Sequence, residues 1–202
     1  MVLLPLLLVL LLPVLSSPNK QKSSSCPSLP PNLPCSCTSH HLSCNGLNTT
    51  EELRGLDGVR ELTISNGRLA CLSTSHLPTT LTRLTVTHTH LASILCPGSS
   101  FIALPSLAFL DLSNNSLSNL DKHAITSLPP SLTSLELRDN PLSCAPSLAW
   151  LNPWVRSRSS TLEQQLSLVG CMVENSPMGQ SAPLLRVSFS FQLREGQIFG
   201  TR

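Results

Sequence analysis

LAFLDLSNNSL (Leu107–Leu117) and LTSLELRDNPL (Leu132–Leu142) are the stretches on which the fold turns. Laid one over the other, they share leucine at positions one, four, six and eleven and asparagine at position nine, and the second begins 25 residues after the first. The Leu-x-Leu centre of each reads as a short strand, because alternate side chains of a strand point to the same face. One such strand cannot bury its apolar face alone. Repetition at a fixed interval supplies neighbours that cover it.

Working upstream, the same pattern appears twice more in looser form. Val59, Leu62, Ile64 and Leu69 occupy the apolar positions of one copy, and Leu81, Leu84, Val86 and Leu91 those of the next. The four equivalent leucines are Leu62, Leu84, Leu110 and Leu135, at intervals of 22, 26 and 25 residues. The pattern and its period are those of leucine-rich repeats, and they place the chain in the α/β class as a solenoid. Its concave side should be a short parallel sheet, and its convex side irregular or 3-10. In this family the ninth-position asparagine turns inward and ties together backbone groups of adjacent coils. Asn115 and Asn140 hold that position, but Gly67 and Thr89 stand there in the first two copies. The N-terminal half is therefore expected to be less regular than the C-terminal half.

The register also predicts which side chains face outward from the sheet. One column runs Glu61, Arg83, Phe109, Ser134; the next Thr63, Thr85, Asp111, Glu136; a third Ser65, Thr87, Ser113, Arg138. Phe109 is an aromatic ring projecting from an otherwise polar surface. With Arg83, Asp111, Glu136 and Arg138 around it, it is the candidate anchor for a partner, since aromatics and arginine dominate interface energetics.

Eight cysteines punctuate the chain: Cys26, Cys35, Cys37, Cys44, Cys71, Cys96, Cys144 and Cys171. Four of them form C-x8-C-x-C-x6-C ahead of the repeats, which resembles the cysteine-rich N-terminal cap of extracellular leucine-rich-repeat proteins. That resemblance implies Cys26–Cys37 and Cys35–Cys44 pairing. Sequence alone allows three pairings of four cysteines, and a zinc site is the alternative chemistry for a C-x-C pair. The physical need for a cap is that an end coil has no neighbour over its leucine layer. After the last repeat, NPLSCAPSLAWLNPWV (Asn140–Val155) resembles the start of the C-terminal cap of the same proteins, matching at Cys144, Trp150, Leu151 and Trp154. Pro146 stands where that cap has its second cysteine, and only Cys171 follows. In those proteins the first and third cysteines of this cap pair, as do the second and fourth, so the resemblance implies one remaining bridge here, Cys144–Cys171. Cys71 and Cys96 lie in neighbouring repeats and are either a bridge between coils or two free thiols filling the core.

The chain opens with Met1 and a run of only Val, Leu and Pro from Val2 to Leu15, followed by Ser16 and Ser17. This reads as a cleaved secretory signal. Its length is too short for an anchor, and no later stretch of about 20 apolar residues offers a membrane span. An even cysteine count behind such a segment points to disulfides in an oxidising compartment. The expected organisation is a signal at 1–17, a disordered polar leader at 18–25, the N-terminal cap at 26–58, about four repeats at 59–142, a partial C-terminal cap at 143–175 and a tail at 176–202. In the tail, Val187, Phe189, Phe191 and Leu193 alternate with polar residues as a strand would.

The chemistry of catalysis finds little purchase. No GxSxG elbow or glycine-rich phosphate loop is present. His40 with His41, and His88 with His90, lack further ligands at recognisable spacing, so they read as surface residues rather than a metal site. With a net charge of +2 over 202 residues, nothing points to nucleic acid. Two N-glycosylation sequons occur, at Asn48 and at Asn114. The expectation is a non-enzymatic, secreted, protein-binding module without a cofactor, taking an extracellular protein partner on its concave face. The alternatives are a structural matrix component and a truncated or decoy form of a membrane receptor's ectodomain.

Overall fold

In the computed structural model the described residues are 26–173 and 181–186. The expected signal and leader and the alternating stretch Val187–Leu193 lie outside them. Six strands form one sheet in sequence order: β1 (Cys35–Thr38), β2 (His41–Asn45), β3 (Glu61–Ser65), β4 (Arg83–Thr87), β5 (Phe109–Asp111) and β6 (Ser134–Glu136). β1 and β2 are antiparallel, and every later pair is parallel. The returning side of the coils is built of 3-10 turns at Thr50–Leu53, Thr74–His76 and Phe101–Ala103, and of a single-turn helix α1 (Lys122–Thr126). This is the leucine-rich-repeat solenoid.

The register explains the leucines. Leu42, Leu62, Leu84, Leu110 and Leu135 lie side by side across the five parallel strands, all buried. Cys44, Ile64 and Val86 form the second inward column, which Leu112 and Leu137 continue. Cys44 is thus both a core residue and half of a bridge. The solenoid core runs without a break from Leu33 to Leu185.

By strand length the N-terminal half is not the less regular one. β3 and β4 have five residues each, whereas β5 and β6 have three. The physical reasons lie at the two non-asparagine positions. Thr89 is fully buried, and both its backbone N–H and its hydroxyl donate to Asn115 Oδ1, at 3.0 and 2.9 Å. Asn115 therefore serves its neighbour's coil as well as its own, donating through Nδ2 to the Val86 and Leu112 carbonyls. At Gly67 the Leu47 backbone packs so closely that a Cβ would stand 2.0 Å from the Leu47 carbonyl oxygen. Close backbone approach there takes the place of a side-chain bridge.

Each coil leaves its strand through a left-handed residue at the same position: Asn66, His88, Asn114 and Asp139, with φ between 53 and 56°. Asn, Asp and His are the non-glycine residues that tolerate this region best. Beyond β6 the chain forms α2 (Leu151–Arg156) and α3 (Ser160–Ser167), then β7 (Gly170–Met172), which pairs antiparallel with β8 (Ser181–Pro183). β8 lies past residue 175 and packs as part of the cap. Leu184 and Leu185 are buried, and Asn152 Nδ2 donates to the Leu185 carbonyl at 3.1 Å. No helix among the described residues is long and apolar enough to cross a membrane.

Candidate binding face

The parallel ladder places Arg83 opposite Phe109, and Asp111 opposite Glu136. The Arg83 guanidinium lies over the Phe109 ring, 4.1 Å from its centroid. Such a cation–π contact is worth about 0.5–1 kcal/mol at an exposed site, and it favours one orientation of the two side chains. Phe109 is half-buried and Arg83 exposed. Asp111 Oδ1 accepts from the Ser113 N–H at 2.9 Å, which fixes its carboxylate at the end of β5. Just past β6, Arg138 pairs with Glu136 at the end of that strand, Nε to Oε2 at 3.1 Å. The five candidates thus lie on three successive coils, Arg83 on the first, Phe109 and Asp111 on the second, and the Glu136–Arg138 pair on the third.

Two further contributions to this face are not in the sequence-based columns. β2 joins the sheet in register with β3, so His41, Ser43 and Asn45 extend the concave columns by one coil. His41 Nε2 is 2.9 Å from Thr63 Oγ1. The signal was present in HLSCN (His41–Asn45), where Leu42 and Cys44 alternate as the Leu-x-Leu of a repeat does. At the other end, Gln165 of α3 reaches β6. Its Oε1 accepts from the Leu135 N–H at 3.1 Å, and its Nε2 donates to Ser134 Oγ at 2.8 Å.

All eight cysteines are bonded: Cys26–Cys37, Cys35–Cys44, Cys71–Cys96 and Cys144–Cys171. The histidine pairs do not converge. His40 Nδ1 donates to the Gly58 carbonyl at 3.0 Å, while His88 and His90 are exposed on either side of buried Thr89. Among the described residues no three His, Cys, Asp or Glu side chains come together to hold a metal. Both sequon asparagines, Asn48 and Asn114, are exposed.

A family model described as "Leucine rich repeat" matches residues 79–142. The fold is that of a leucine-rich-repeat solenoid with disulfide caps. Over 82 residues, 40% of its length, this leucine-rich-repeat protein is 34% identical to Toll-like receptor 3 of Boselaphus tragocamelus and to that of Bos taurus. The match spans only 9% of either receptor. Among solved structures, the octameric complex of Latrophilin 3 (Lec, Olf), Unc5D (Ig, Ig2, TSP1) and FLRT2 (LRR) matches with a TM-score of 0.52 and 24% identity, over 66% of this chain and 39% of that one. At that identity the likeness is one of fold. Human 5T4 (Wnt-activated inhibitory factor 1, Trophoblast glycoprotein) overlaps 74% of this chain and 81% of its own at 20% identity, with a TM-score of 0.33 that carries no argument. What the chain shares with the FLRT2-containing complex is thus the solenoid fold.

Proposed function

We propose that this leucine-rich-repeat protein is a secreted, extracellular, non-enzymatic binding module that takes a protein partner on its concave sheet, with Phe109 and Arg83 as the anchor. The observation that carries the reading is the stacked Arg83–Phe109 pair, an aromatic ring and a guanidinium held together at 4.1 Å on an otherwise polar sheet. A pre-stacked pair loses less side-chain freedom on binding than two free side chains do. Asp111 beside it supplies a fixed acceptor, and the Glu136–Arg138 pair offers both signs of charge at the rim. Four bridges among eight cysteines support an oxidising compartment.

The test begins with a pull-down from extracellular material using the oxidised protein as bait. The recovered partner is then titrated against variants. Phe109→Ala should weaken binding by at least ~2 kcal/mol, the usual threshold for a hot spot. The fold should persist, because the ring projects away from the leucine columns. Lys122→Ala, at an exposed residue of α1 on the convex side, should leave affinity unchanged. Normal binding by Phe109→Ala together with weakened binding by Lys122→Ala sinks the concave-face reading. Equal affinity for many matrix proteins would replace it with a structural matrix role.

A further inference from the structure

We infer that Asn114 carries an N-linked glycan whose first sugars lie in a polar groove at the C-terminal ends of the strands, against His88, His90 and Arg68. The inference rests on the secretory reading above and adds a site to it. The groove follows from the coil geometry. Asn66, His88, Asn114 and Asp139 occupy the same left-handed position in four successive coils. Two residues further on stand Arg68, His90 and Ser116. These two rows line an open groove of about 580 Å³. The coils are tied across it by backbone, His88 N–H to the Asn114 carbonyl at 2.9 Å and Asn114 N–H to the Arg138 carbonyl at 3.0 Å.

Its lining is amide, imidazole, guanidinium, hydroxyl and carboxylate, with no aliphatic side chain. An apolar side chain of a partner would gain nothing there, since ligand pockets that hold apolar groups are lined mainly by hydrophobic and aromatic residues. Sugar hydroxyls and the acetamido group of N-acetylglucosamine need directional donors and acceptors, which this lining supplies.

The attachment atom is also free to be used. Asn115, its neighbour, commits Nδ2 to the Val86, Leu112 and Ser113 carbonyls and cannot leave the interior. Asn114 is exposed, and among the described residues its Nδ2 has one marginal contact, 3.5 Å to Ser113 Oγ. The sequon thus falls on the one of two adjacent asparagines whose side chain does not tie the coils together. The second sequon brackets the same groove, because Asn48 Oδ1 accepts from the Arg68 N–H at 3.2 Å. Strands of five residues put this edge roughly 16 Å from the strand starts. A seated glycan therefore closes the edge at His88 and leaves the Arg83–Phe109 end open.

The test uses the full chain expressed through a secretory pathway. Glycopeptide mass spectrometry should find Asn114 occupied. Peptide-N-glycosidase should release the Asn114 glycan from the native protein at least tenfold more slowly than from denatured protein. In the variant His88→Gly/His90→Gly, native release should accelerate at least fivefold, with release at Asn48 unchanged. Glycine keeps the left-handed backbone, so the fold is retained, and an unchanged thermal midpoint verifies it. Asn48 occupied with Asn114 bare overturns this inference alone, as does a native release rate that ignores the histidines. Both sequons bare on a product retained in the cytosol overturns the secretory reading with it.

Discussion

Gly67 shows how one residue fixes the spacing of two coils. A Cβ there would meet the Leu47 carbonyl oxygen at 2.0 Å, its carbonyl carbon at 3.0 Å and its nitrogen at 3.1 Å. All three are backbone atoms, which cannot swing aside as a flexible side chain would. Gly67→Ala must push the N-terminal cap away from the first repeat, and overpacking of this kind typically costs about 1–3 kcal/mol. Gly98 is the contrast. Nothing lies within 4 Å of its Cβ position, but its φ of +78° is left-handed, so Gly98→Ala should cost about 1–2 kcal/mol from backbone strain alone. Denaturant melts of the two variants should rank Gly67→Ala as the more damaging, and hydrogen exchange should place its damage at β2 and β3. Equal and diffuse loss in both variants would show that Leu47 is not the constraint.

At the scale of elements, the end of the sheet is where local design is most visible. The outer edge of β6 has no further coil, and an open strand edge presents unpaired N–H and C=O groups. α3 covers it, and the Gln165 carboxamide behaves there as a peptide unit, accepting from Leu135 N–H and donating to Ser134 Oγ. Arg158, between α2 and α3, holds the cap down from the other side. Its guanidinium donates to the Leu128 and Pro129 carbonyls and lies 5.4 Å from the Trp154 ring centroid. Burial pulls its pKa below the ordinary arginine value. Gln165→Leu should keep the helix and its packing but strand the Leu135 N–H, at about 1–3 kcal/mol. The Leu135 amide should then exchange faster relative to Leu84 in β4, which two coils flank. These contacts explain why the sequence is legible in some places and not in others. The leucine columns can be read because each coil must present apolar side chains at the same register, so the period repeats. The concave columns follow from the same register, which is why Arg83 and Phe109 come out adjacent. Gln165 and Arg158 are single residues about 30 positions from their partners, and no period announces them. Thr89 reads as a weakened asparagine position until its bond to Asn115 is seen, and Gly67 as a missing side chain until Leu47 is seen against it.

At the scale of the molecule, the solenoid is a line of coils in which each touches only its neighbours, so its stability is close to a sum of coil terms and interface terms. The bridges are placed along that line: two in the N-terminal cap, one between the first and second coils of the repeat region at Cys71–Cys96, and one closing the C-terminal cap at Cys144–Cys171. The last two close segments of 25 and 27 residues. Loops of that size confine the unfolded chain to similar degrees, worth about 3.5 kcal/mol each on the chain-entropy account. Their loss should nevertheless be felt differently. Cys144 is backbone-paired to Met172, and Met172 to Leu142, so this bridge staples the cap onto the last repeat. In Cys144→Ala/Cys171→Ala, protection from hydrogen exchange should vanish first in α2, α3 and β7, then in β6, while β3 and β4 keep theirs. In Cys71→Ala/Cys96→Ala the Leu72–Leu95 bridge and the Ser93 N–H to Ala70 carbonyl bond still join the same loops. There the caps should stay protected and the loss should centre on residues 70–96. If both double variants lose protection evenly from Cys35 to Cys171, the coils unfold as one unit and the nearest-neighbour account is wrong for a solenoid this short.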